Sequence, residues 1–400
     1  MPNSAQHWLS PSRVRAYSAL ILVVSLIYAL PLAWMAWKTY HQPGGFDFVT
    51  FWSASRLSLD GTPLAAYSYA SIQQVAQGIS PHFKLTGPWF YPPNFLLVVR
   101  PFALLPSSLA FLGFAIVTTA VYVVLLRKAS PLPGAWFPIV AFPGLVINAL
   151  QGQNACLTAS LVLGAFLLLP KRPVLAGVCI GMMSIKPHLA IPFPLALACA
   201  GMWTAFIAAA VTAIIFTGVS VAVFGTAVIP AFLHALVDAN ADLASGLLPW
   251  PEIASAFAAL RMLHIAAPLA YAAQACQALV ATLAVGWVWR NSRELEVRAT
   301  ALVAGTFMIS PYVYIYDTAW LAIPIALLST KAVRDGWLRW EREILCIAWI
   351  FPVAGEISGQ FLHAGIGPLV FALLMFVALR RAYLFPEIAR SPAPQTLTPR

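Results

Sequence analysis

Apolar residues run along this chain in long, nearly unbroken blocks, neither alternating as in strands nor striped as in soluble helices. The first block covers residues 16–37, and a membrane span takes about 20 apolar residues. It is too long for a secretion-signal core and no small-residue cleavage site follows, so the pattern predicts a retained first span. A polar segment, 41–92, comes next. It is followed by a short apolar helix at 93–105, a break at Pro106, and a span at 107–126 ending in Arg127 and Lys128. Spans are predicted at 135–150 and 156–169, parted by QGQN, and at 203–224. Short segments at 173–185 and 189–200 flank SIKPH. A second polar segment covers 225–265. Apolar blocks at 266–289, 300–309 and 319–328 precede a final hairpin at 344–353 and 367–379. The pattern predicts an all-α polytopic membrane protein of about 11–13 spans or half-spans. Residues 1–390 form one membrane-embedded domain, and the tail 391–400 reads as disordered.

Composition agrees: 61% of the 400 residues are hydrophobic and 9% are charged, against roughly 25% charged in soluble domains. The net charge of +10 raises the question of a nucleic-acid partner, and charge placement answers it. The predicted topology puts 17 of the 23 Lys and Arg in short loops on one side, with six of the 13 acids. The other side keeps six basic residues and seven acids, and both long polar segments. This is the positive-inside pattern, which expects both termini in the cytoplasm, the long loops outside, and no nucleic-acid partner. The five cysteines form no CxxC or Cys/His cluster and read as small buried hydrophobes. No metal-ligand spacing appears, and nothing in the sequence requires a cofactor.

The polar residues needing explanation gather at the long-loop side. In GGFDFVTFWSASRLSLDG, Asp47 sits at an N-cap position before Phe48, Phe51, Trp52 and Ser55, whose spacing predicts a short interfacial helix with an aromatic face. Asp47 is therefore a cap, a carboxylate facing a cavity, or both. Arg100 in YPPNFLLVVRPFALLP either snorkels to the interface or serves a site, because charges inside apolar helices are functional by default. The amides Asn148, Gln151, Gln153 and Asn154 either knit a helix break or line a polar cavity. Lys186 in SIKPH either meets helix carbonyls or suits a phosphate, with His188 beside it. SPYVYIYD, ending in Tyr316 and Asp317, reads as an aromatic belt or as part of a sugar site.

In this order, GFDFVTFWSASRLSLDGTPLAAY, YPPNFLLVVRPFALLP, QGQN, AGVCIGMMSIKPHLAIPFPL and SPYVYIYD resemble glycosyltransferase family 87, over about Asp47 to Pro324. These are multispanning enzymes of GT-C architecture that depend on polyprenyl-phosphate sugars. The resemblance implies an inverting hexosyltransferase of the cell envelope. It would transfer a sugar, often mannose, from a polyprenyl-phosphate donor to a lipid or glycan acceptor. The reaction would take place at the outer face of the cytoplasmic membrane, among membrane lipids. It gives Asp47 the role of general base. Lys186, Arg100 and Arg56 become candidates for the donor phosphate. Tyr91, Gln151, Gln153, Asn154, His188, Tyr316 and Asp317 become candidates for substrate contact. The rival reading is a transporter or flippase for a lipid-linked glycan, which should show internal repeats and midplane polar groups; neither stands out.

Overall fold

The structure is a computed structural model that describes residues 8–385 except 86 and 88. The tail 391–400, expected to be disordered, lies outside the described residues. The helices are α1 (Pro11–Tyr40), α2 (Phe46–Leu59), α3 (Tyr69–Ile79), α4 (Pro93–Val99), α5 (Ser107–Ala129), α6 (Trp136–Val140) and α7 (Pro143–Gln151). Then come α8 (Ala155–Leu168), α9 (Pro173–Met182), α10 (Pro187–Ala190), α11 (Pro192–Cys199), α12 (Trp203–Phe224) and α13 (Val228–Ser245). The last are α14 (Ala256–Met262), α15 (Ala267–Asn291), α16 (Leu295–Ile309), α17 (Ala322–Asp335), α18 (Glu341–Leu362) and α19 (Gly367–Leu384). Six of them, α1, α5, α12, α15, α18 and α19, are long and apolar enough to cross a membrane.

Proline sets many of the helix starts. Pro93, Pro143, Pro173, Pro187 and Pro192 each occupy the first turn of a helix, where a missing N–H costs nothing. The predicted span 135–150 is divided between α6 and α7, because Phe142, ahead of Pro143, is extended (ψ 118°). Pro352 does the opposite. The span expected to stop at 353 continues as α18 to Leu362, with the proline inside the helix. The segment 225–265 also differs from a bare loop, since α13 occupies 18 of its residues. Arg298, expected in a basic loop, lies inside α16 and is buried over the indole of Trp289. Of the cysteines, Cys156 is buried, Cys276 is exposed and the rest are intermediate, so burial does not explain all five.

Small residues allow the close packing that lipid does not drive hydrophobically. α16 is buried from Val297 to Met308, and a Cβ on Gly305 would come within 2.3 Å of Val285 on α15. Gly177 and Gly181 of α9 lie against α12, where added Cβ atoms would stand 2.5 Å from the carbonyl oxygens of Ala205 and Ala209. Opposite faces carry exposed leucine, isoleucine and valine, as on α1 and α12, which suits a lipid surround. The end of the bundle opposite the long loops holds buried ion pairs, Arg381 with Glu341 and Lys331 with Glu294.

Candidate functional site

The polar groups that the sequence scatters converge where α2 meets the α7–α8 break. Gly45 (φ 67°) caps α2 and donates its N–H to the carbonyl of Leu150 at 2.7 Å. Gly152 (φ 73°) caps α7. A Cβ on Gly152 would sit 2.7 Å from both Cα of Gly45 and Cβ of Phe48, so a side chain there would push the two segments apart. Asp47 is consequently not the N-cap. It occupies the first turn of α2, where the helix dipole still favours a carboxylate. The aromatic face of α2 is filled by protein: Phe48 and Phe51 pack among Phe95, Phe111 and Phe114.

The Gly45–Gly152 contact sets Asp47 beside Gln153, whose Nε2 donates to Oδ2 of Asp47 at 2.9 Å. Gln153 Oε1 accepts from the Tyr91 hydroxyl at 3.1 Å and from the backbone N–H of Asn154 at 3.4 Å. Asn154 leads to a second carboxylate. The Lys186 ammonium donates to Asn154 Oδ1 at 3.3 Å and to Asp317 Oδ1 at 2.5 Å, and lies 4.9 Å above the ring centroid of Tyr316. Asp317 Oδ2 accepts the N–H of Tyr314, and the Tyr314 and Tyr316 rings stack with centroids 5.1 Å apart. Asn148 serves the break itself, its Oδ1 accepting the N–H of Ala155 at the start of α8. Asn148 thus knits the helix break, while Gln153 and Asn154 bond to the side chains of Asp47, Tyr91 and Lys186.

Two helices measure the depth of this cluster. Asn94 Nδ2 bridges Ser184, two residues before Lys186, and Thr217 of α12. Thr217 precedes Phe224, the end of α12, by seven residues, which is about 10 Å of helix. On α2, Ser55 donates to the carbonyl of Arg100, and Ser55 lies eight residues beyond Asp47, about 12 Å. The Arg100 guanidinium is 5.8 Å from the Phe224 ring, so Arg100 stands at the end of α12, which we call the rim, set apart from both Asp47 and Lys186. Arg56 is exposed and paired with Asp60, 3.0 Å away. The three candidate cations are thus spread along the recess and do not form one cluster.

Electrostatically, the recess is acidic. Burial pushes the Asp47 carboxyl up from its ordinary range, opposed by the Gln153 hydrogen bond and the Lys186 charge. The residue as a whole is half-buried, while protein surrounds its carboxylate. Glu252, on the turn Trp250–Glu252, is pushed up to about 7 by burial and then by the charges of Asp47 and Glu356. That turn is pinned to the site by pairing of Ile253 with Tyr314 and an Ala254 N–H bond to Val313 at 2.7 Å. Among the described residues, Gln151 Oε1, Asn154 Nδ2 and His188 Nε2, on the segments that carry this cluster, are buried polar atoms without a protein partner. Sequence reasoning missed Asn94 and placed Glu252 only among acceptor-side candidates of the second long polar segment, with Asp238, Asn240 and Asp242. An asparagine inside a short apolar helix was the available signal for the first.

Residues 89–311, more than half of the chain, match the family model of glycosyltransferase family 87. The match is narrower than the resemblance, leaving Asp47 before it and Asp317 after it. No curated protein and no solved structure matches the chain.

Proposed function

The chain belongs to glycosyltransferase family 87 and is a membrane glycosyltransferase, and from that premise we propose that it transfers a hexose, mannose first among the sugars to test, from a polyprenyl-phosphate sugar to a lipid or glycan hydroxyl. The reaction inverts the anomeric carbon and takes place at the outer face of the cytoplasmic membrane. The observation carrying this reading is the Asp47 carboxylate, enclosed by protein with one oxygen held by Gln153 and close enough to Lys186 to feel its charge.

The steps follow from those groups. Asp47 takes the acceptor's hydroxyl proton as that oxygen bonds to C1 of the sugar. The bond from C1 to the phosphate oxygen breaks, and its electron pair leaves with the polyprenyl phosphate, an anion stable without a general acid. Lys186 has three N–H donors, of which Asp317 and Asn154 take two, so one is left for a phosphate oxygen. Arg100 at the rim and Arg56 beyond it favour approach of the anionic donor. Sugar hydroxyls complete the unpartnered atoms of Gln151, Asn154 and His188, each costly to leave buried and unsatisfied. Tyr316 and Asp317 form the wall behind Lys186.

The test uses the purified chain in proteoliposomes with radiolabelled polyprenyl-phosphate mannose and membrane lipid extract. Asp47→Asn is expected to lower transfer by about 10²–10⁴-fold, the usual contribution of a general base. Equal transfer by a folded variant removes Asp47 from the reaction. Donor translocation without transfer identifies a transporter instead.

A further inference from the structure

We propose that Gln153 and Tyr91 are positioning residues that hold the Asp47 carboxylate in one orientation, with Oδ2 occupied and Oδ1 turned to the acceptor. This rests on Asp47 being the base. Both residues carry polar groups suited to a sugar, yet their geometry spends those groups on each other and on Asp47.

The amide of Gln153 has only one satisfactory orientation. Its Oε1 accepts from the N–H of Asn154, a donor that cannot change sign, and its Nε2 meets an Asp47 oxygen, an acceptor when ionised. A flipped amide would set donor against donor at Asn154 and acceptor against acceptor at Asp47. The Tyr91 hydroxyl closes the third contact at 3.1 Å. Tyr91 itself has little freedom. Its ring meets Phe51, Trp89 and Phe95 with centroids 5.4, 5.1 and 4.9 Å away. Its carbonyl accepts from the Tyr67 hydroxyl at 3.2 Å, and Pro92 and Pro93 stiffen the backbone that follows. Gln153 is 6% exposed, so it is buried behind the carboxylate. A rigid aromatic cage thus fixes a hydroxyl, the hydroxyl fixes an amide, and the amide fixes one oxygen of a carboxylate that is otherwise free to rotate. Pre-set geometry of this kind acts on the chemical step more than on substrate affinity.

The experiment compares wild type, Gln153→Leu, Tyr91→Phe and Asp47→Asn in the proteoliposome assay across pH 4 to 9, with thermal unfolding as the check on folding. In Gln153→Leu, kcat is expected to fall about tenfold or more, with the donor KM within about threefold. The acid limb of kcat/KM should move up by about one pH unit, because the ionised carboxylate has lost a donor. Tyr91→Phe should move both readouts in the same direction by less. If Asp47→Asn is inactive but a folded Gln153→Leu keeps its acid limb in place, positioning is overturned while the base assignment stands. A rise in donor KM with unchanged kcat would make both residues substrate contacts and also overturns it. Full activity of Asp47→Asn overturns the base assignment and this proposal together. Should Gln153→Leu fail to fold, the near-isosteric Tyr91→Phe decides by the same two readouts.

Discussion

Asp317→Ala tests the energetics of the site without reference to activity. It leaves the Lys186 ammonium, 2% exposed, with no carboxylate. What remains to it is Asn154 Oδ1 at 3.3 Å and the face of Tyr316 at 4.9 Å. Breaking a buried pair from one side costs about 3–5 kcal/mol, since desolvation of the surviving charge is no longer offset. Unfolding entropy scales with length, so for 400 residues each kcal/mol lowers Tm by roughly 1.2 °C, and the variant should melt about 4–6 °C below wild type. The double variant Lys186→Met/Asp317→Leu replaces both charges with apolar groups of similar volume and should recover most or all of that loss. The measurement is thermal unfolding of the detergent-solubilised protein for both variants and Lys186→Met alone. The double-mutant cycle should show a coupling of about 3 kcal/mol. A coupling below about 0.5 kcal/mol would mean that Lys186 and Asp317 do not meet, and the wall of the recess would have to be redrawn.

Gly152→Ala should abolish transfer and lower stability by about 1–3 kcal/mol, through both its positive φ and the 2.7 Å approach to Gly45, read by transfer rate and Tm together. Glu252 binds a proton more tightly in the folded chain than in the unfolded one, so stability present below about 4.5 is lost as pH rises through about 7. Glu252→Gln should therefore melt above wild type at pH 8 and with it at pH 4, the difference reaching at most about 3 kcal/mol before solvent screening of a half-buried group reduces it. Arg100→Gln should weaken donor capture, raising KM several-fold with kcat held within about twofold, because its guanidinium stands at the rim and not at Asp47.

The long helices were legible because length and continuous apolarity are local properties, and several helix starts because proline marks them where it stands. Where the reading failed, a local signal had two physical outcomes. The apolar pattern ends a span at about 353, but a helix packed against neighbours keeps its course through Pro352 when the freed carbonyl finds other partners. The mixed polarity of VIPAFLHALVDANADLAS places it in the second long outer loop, and the structure makes it α13. Arg298 was read as a loop charge, yet its donors reach the carbonyl of Trp289, so it can be buried at a helix start.

Pairings across the chain were the part that local pattern could not supply. Lys186 and Asp317 are 131 residues apart, and Asp47 and Gln153 are 106 apart. Each looked explicable alone: a lysine meeting carbonyls, an acid capping a helix, an amide closing a break. Burial supplies the missing constraint. A lysine in an apolar hairpin must find an acid once the hairpin is packed, and only a few acids share its end of the bundle. The glycines carry the rest of the information. Gly45 and Gly152 were each ordinary punctuation in the sequence, one before a helix and one after. Because a Cβ on Gly152 would come within 2.7 Å of Gly45 Cα, the two form a single close contact that decides how near Asp47 comes to Gln153. The chemistry proposed for this carboxylate therefore depends on two residues with no side chain, and widening that contact should separate the acid from its amide before it disturbs any helix.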